Sequence, residues 1–202
     1  MRDFGLFVLR LVLGLSMLGH GTQKLFGWFG GPGLKGTQGM METLGIQPGN
    51  IWGPMVAAGE TSGGLLTALG VLSPLGPFNI AAAMIVAVRK VHWAKGFWAS
   101  VGGIEFPLTN LGAAVALASA GPGRFSLDEK FGTRLPAPLA FVVAMLSSVA
   151  VYAALHRPQL AADIVDSAAG VIPGLSGATK VSPDLARETR PQPQDVTRQP
   201  AR

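Results

Sequence analysis

The stretch Phe4-Gly5-Leu6-Phe7-Val8-Leu9-Arg10-Leu11-Val12-Leu13-Gly14-Leu15-Ser16-Met17-Leu18 is apolar on every helical face, with Arg10 as its single charge. A helix that is apolar all round belongs in a large core or in a membrane. The run continues weakly through Leu25-Phe26-Gly27-Trp28, and His20, Gln23 and Lys24 stand where a signal peptide would carry a small-residue cleavage site. It therefore reads as a retained span. Composition agrees: 49% of the 202 residues are hydrophobic and 13% are charged, about half the charge of an average soluble domain. Mean hydropathy is +0.40. Twenty-eight glycines would weaken helices in water, but small residues let membrane helices approach closely.

Four further apolar runs follow, at residues 51–74, 78–88, 101–120 and 139–155. The run at 78–88 is short for hydrocarbon about 30 Å thick. It spans only if it extends through Arg89-Lys90-Val91-His92-Trp93, with both cations snorkelling to the interface. Trp28, Trp52, Trp93 and Trp98, with Phe97, sit near span ends and read as an aromatic belt. Between the first two runs lies a glycine-rich loop, residues 30–49, with a short interfacial helix at 40–44. From Arg157 onward Pro, Gln, Asp, Arg and Ser dominate, apart from a small apolar stretch at 169–175, so a mostly disordered tail is expected. The expected organisation is an all-α integral membrane bundle: a four-helix domain over 1–130, a fifth transmembrane helix within 131–156, and the tail over 157–202. Basic residues divide evenly between the two sides, so orientation is not set by them.

The chain has no cysteine, which excludes disulfides, thiolate metal sites and iron–sulfur clusters. The net charge of +5 comes from residues flanking apolar runs, and nucleic-acid binding is not expected. No hydrolase elbow, phosphate-binding loop or dinucleotide fingerprint is present.

The polar residues crowd toward one face. If the first four runs span, His20 and Lys24 leave the first span, Glu60 lies in the first half of the second, His92 and Lys95 leave the third, and Glu105 opens the fourth. His20 and Lys24 share a helix face, as do His92 and Lys95. Glu60 stands out, because a carboxylate in a membrane helix must be paired, protonated or near water. Lys24, Lys95 or a histidine is its expected partner, and Gly59-x-x-x-Gly63 beside it reads as a close-packing surface. Several roles fit the cluster: salt bridges locking the bundle, a site for a quinone or similar amphipathic ring, or proton or solute conduction. A metal or bis-histidine haem through His20 and His92 lacks a third ligand. Thr109 and Asn110 read as interhelical hydrogen bonds.

The run His20-Gly21-Thr22-Gln23-Lys24-Leu25-Phe26-Gly27-Trp28-Phe29-Gly30-Gly31 resembles the signature of the DoxX family of bacterial membrane proteins. So do Gly59-Glu60 with Gly63-Gly64-Leu65, Val91-His92-Trp93-Ala94-Lys95-Gly96-Phe97, Gly102-Gly103-Ile104-Glu105-Phe106-Pro107-Leu108 and Gly121-Pro122-Gly123-Arg124-Phe125-Ser126-Leu127-Asp128. The resemblance covers about residues 4–130. It implies a four-helix core, a multi-pass location in the bacterial cytoplasmic membrane, and a subunit of a quinone-linked redox or oxidative-stress system. It implies no catalytic residues, so His20, Lys24, Glu60, His92, Lys95 and Glu105 are assigned as a quinone site on physical grounds alone. Such a subunit needs an electron source, and a soluble redox protein is the expected partner, alongside membrane lipid and further copies of the chain. The alternative is a non-enzymatic scaffold that recruits soluble proteins.

Overall fold

The N-terminal apolar run forms α1, Arg2–Phe26, in a computed structural model that describes residues 1–171. Twenty-five residues make a helix about 37 Å long. It stops at Gly27, whose φ of 75° is left-handed and whose N–H caps Gln23 O. Then come α2 (Gly33–Thr43), α3 (Gly49–Leu69) and α4 (Leu75–Ala87), the last continued by a π-helical turn, Val88–His92. After two short 3₁₀ turns the chain forms α5 (Glu105–Ala120), α6 (Leu127–Phe131), α7 (Ala137–His156) and α8 (Leu160–Val171). The described residues are all-helical, without strands.

α3 is the hub, packed on α1, α2 and α4, and α4 in turn carries α5 and α7. Glycine sets the closeness of the α1–α3 contact. A Cβ on Gly14 would lie 2.7 Å from Gly64 O, and one on Gly64 would lie 2.7 Å from Gly14 O. The two backbones thus touch where neither residue has a side chain. Leu13 and Met17 of α1, Ile80 and Met84 of α4, and Ala114 and Leu117 of α5 form one buried cluster. Met41, Ile46 and Trp52 form a second with Ala153 and Ala154 of α7.

Hydrogen bonds tie the helix ends together. At one end Asp128, 4% exposed, accepts from Leu72 N at 2.8 Å, Ser73 N at 2.9 Å and Thr133 Oγ1 at 2.7 Å. Arg10, 2% exposed, donates through Nη2 to Phe125 O beside it. At the opposite end Thr37 Oγ1 donates to Lys24 O at 3.1 Å, and Trp52 Nε1 to Pro158 O at 2.8 Å. The first end therefore gathers the starts of α4 and α7 with the ends of α3 and α5.

Several expectations are corrected. The glycine-rich segment at 30–49 is largely helix α2, held because Thr37 Oγ1 bonds both Gly33 O and Lys24 O and because Gly49 and Gly53 let α3 close on Gln38. The fourth run becomes helical only at Glu105; before it the chain turns at Gly96 and Gly102, both with positive φ. The polar tail begins with α8, and residues 172–202, with part of the 169–175 stretch, lie outside the described residues. Trp52 is not a belt residue but a core one, 4% exposed, whereas Trp28, Trp93 and Trp98 are more than half exposed. Gly63 packs on α4 near Asn79 and Gly76, while Gly59 meets nothing, so the pair does not form one surface.

Among the described residues two helices are long and apolar enough to cross a membrane, α1 and α7. The helix expected as a fifth span is thus one of the two. α4 and α5, at 13 and 16 residues, measure only about 20 and 24 Å. α3 has the length, but glycine and hydroxyl residues dilute its hydropathy. Large apolar side chains nonetheless face outward along α1, α3, α5 and α7, among them Val12, Leu65, Val115 and Phe141. That is far more than scattered surface leucines would leave on a water-soluble domain.

Candidate functional site

Lys24 lies in the last turn of α1, three residues after Gly21, which meets Thr61 of α3 at backbone contact. That contact draws the end of α1 onto the middle of α3, and Lys24 Nζ donates to Glu60 Oε2 at 2.6 Å. It is the ion pair found among the described residues, and the Glu60 side chain is 6% exposed against 20% for Lys24. The pair walls a cavity of about 430 Å³ whose lining is otherwise almost entirely apolar. That volume lies within the range of small-molecule sites.

His20 and His92 join Lys24 and Glu60 in the lining. His20 is placed one turn before Lys24, its ring edge-on to Phe106 at 5.5 Å between centroids. His92 comes from the π turn after α4, a local widening that often accompanies functional positions. Its Nδ1 lies 2.6 Å from Gly102 O. A carbonyl can only accept, so Nδ1 carries the proton, and in the neutral ring Nε2 is left as an acceptor. The site thus offers one ammonium donor, one carboxylate and an imidazole acceptor at the edge of an apolar chamber.

Lys95 and Glu105, expected in the same cluster, are not in the lining. Glu105 Oε2 accepts from Ala99 N at 2.8 Å, closing the turn before α5. Lys95 is exposed, its stem lying beside Gly102. The tight turns at Gly96 and Gly102 divert both residues. Thr109 Oγ1 bonds its own helix at Glu105 O, whereas Asn110 Nδ2 donates to Met17 Sδ of α1 at 3.9 Å, the interhelical bond expected of it. Among the described residues no cluster of three or more metal-ligating side chains occurs.

Two features are not evident from the sequence pattern of charges. Five of the seven methionines line the cavity: Met17, Met40, Met41, Met55 and Met84. Thioether side chains make a wall that reshapes easily around a flat or irregular ligand. The opposite wall is α7, through Ser147, Ala150, Val151 and Ala154. Those four recur at i, i+3, i+4 and i+7, a stripe of small side chains on one helix face that the sequence does display. The larger Phe141, Met145, Val149 and Tyr152 are exposed on the other side.

The DoxX family model matches residues 5–93. No curated protein and no solved structure matches the chain. The four ionisable residues of the cavity, His20, Lys24, Glu60 and His92, fall inside the matched segment, whereas Lys95, Glu105 and the α7 wall fall outside it. The match is also narrower than the motif resemblance, which runs on to residue 128. The DoxX family is membrane-associated, and residues 5–93 of the chain match its domain.

Proposed function

We propose that the protein is a multi-pass bundle of the bacterial cytoplasmic membrane that binds a quinone-class ring in this cavity, as the membrane subunit of a quinone-linked redox system. In this reading α3, α4 and α5 cross the membrane with α1 and α7, the shorter helices being lengthened by their flanking turns. One observation carries the proposal: a 2.6 Å ion pair set into the wall of an apolar chamber. A pair serving only to lock two helices could be packed over completely, but this one is left facing space.

A quinone supplies coupled proton and electron chemistry when bound. Lys24 holds a ring oxygen as a hydrogen-bond donor, and Glu60 fixes the ammonium in place. When a bound quinol gives its two electrons to the partner, His92 Nε2 accepts one of the two hydroxyl protons released, because Nδ1–H is already bonded to Gly102 O. The methionines accommodate the ring and its apolar tail. Electrons are exchanged with a soluble redox partner.

The test is purification of the full chain in lipid discs, followed by extraction and mass spectrometry of bound small molecules. Stoichiometric quinone in the wild type, lost in a folded Glu60→Gln variant, is the expected result. A protein that emerges with phospholipid alone, and takes up no added quinone, overturns the proposal.

A further inference from the structure

A second concavity lies on the outside of the same end of the bundle. It is a groove of about 440 Å³ between the end of α4, the start of α5 and the end of α7. Its floor is apolar, from Ile85, Val88, Leu108, Leu111 and Leu155. Its rim is basic, from Arg89, Lys90 and His156, and no acidic residue lines it. Neither Arg89 nor Lys90 enters an ion pair with any described residue. His156 is held against Tyr152, ring centroids 5.0 Å apart. Trp93, 61% exposed, closes the same rim.

We infer that this groove binds an anionic phospholipid, its phosphate at Arg89, Lys90 and His156 and an acyl chain along the leucines. The charge pattern selects the ligand. Unpaired cations at the mouth of a greasy slot on a membrane helix bundle match a headgroup above its own chains, and an exposed tryptophan beside them marks the interface level. A free anion would leave the apolar floor uncovered, and a neutral lipid would leave the cations unmatched. The π turn makes the arrangement possible: Val88–His92 sends Arg89 and Lys90 to the groove and His92 to the cavity. α7 likewise walls both, with Leu155 in one and Ala154 in the other. The inference rests on the membrane reading above but not on quinone.

The test is thermal unfolding of the full chain in a neutral detergent, titrated with phosphatidylglycerol, phosphatidylcholine or inorganic phosphate. Phosphatidylglycerol is expected to raise the Tm saturably, while the other two leave it unchanged. Arg89→Gln/Lys90→Gln should weaken the phosphatidylglycerol response roughly 30-fold. Arg89 is exposed and Lys90 partly so, and an unchanged Tm without lipid confirms that the variant folds. Leu108→Gln, which alters the floor alone, should also weaken the response. An equal response to phosphatidylcholine, or an undiminished one in the double variant, overturns the inference. A full response to inorganic phosphate replaces the lipid with a free anion and also overturns it. Quinone content measured on the same samples should not change in the double variant, so failure of either proposal is read separately.

Discussion

Lys24 and Glu60 depend on each other more than either contributes alone. Removing one partner of a buried pair leaves the other charge without compensation, at a cost of about 3–5 kcal/mol. Lys24→Met should therefore lower stability by that amount, and Lys24→Met/Glu60→Gln should recover part of the loss. Unfolding of the two single variants and the double in one detergent gives the coupling directly; additive losses would mean that the 2.6 Å contact carries no energy. Asp128 makes a contrasting case. It accepts from two backbone amides and a hydroxyl, so Asp128→Ala should cost about 3 kcal/mol or more. Arg10 and Asp128 lie at the other end of the bundle, outside the cavity lining. Asp128→Ala protein that remains folded should keep its ligand, which mass spectrometry of the folded fraction checks.

Helix by helix, the glycines separate packing from space. A Cβ at Gly64 would meet the α1 backbone at Leu18 and Gly14, and neither can yield. A Cβ at Gly59 would meet nothing within 4 Å. Gly64→Ala should thus destabilise by about 1–3 kcal/mol or more, whereas Gly59→Ala should stabilise by roughly 0.5–1 kcal/mol through helix propensity alone. Thermal shifts of the two variants check the opposite signs. In sequence the two positions look alike, since both stand in one glycine-rich stretch of α3. Only the crossing of α1 over α3 tells them apart.

For the whole molecule, the cavity is a joint product of the family-matched segment and of α7, a helix outside it. Residues 5–93 supply the ionisable groups, and α7 supplies a wall of small side chains. Filling that wall should abolish ligand binding without touching any polar residue. Ala150→Phe is expected to lose bound quinone while unfolding within a few degrees of the wild type; retention of the ligand would place it elsewhere. The lipid groove shares α4 and α7 with the cavity, so changes to either helix are best read at both sites.

Residue chemistry and apolar periodicity along the chain were enough to determine the helical class, the main helices, and the grouping of His20, Lys24, Glu60 and His92 at one end, because each is a local or nearly local property. The chain alone did not determine that Lys95 and Glu105 turn away, that Trp52 is buried, that α2 is helix, or that Gly14 and Gly64 touch. Those outcomes depend on where two glycine turns redirect the chain and on how closely backbones distant in sequence approach. The cavity belongs with them: an empty volume has no residue of its own, and it exists only where α1, α3, α4 and α7 fail to fill the space between them.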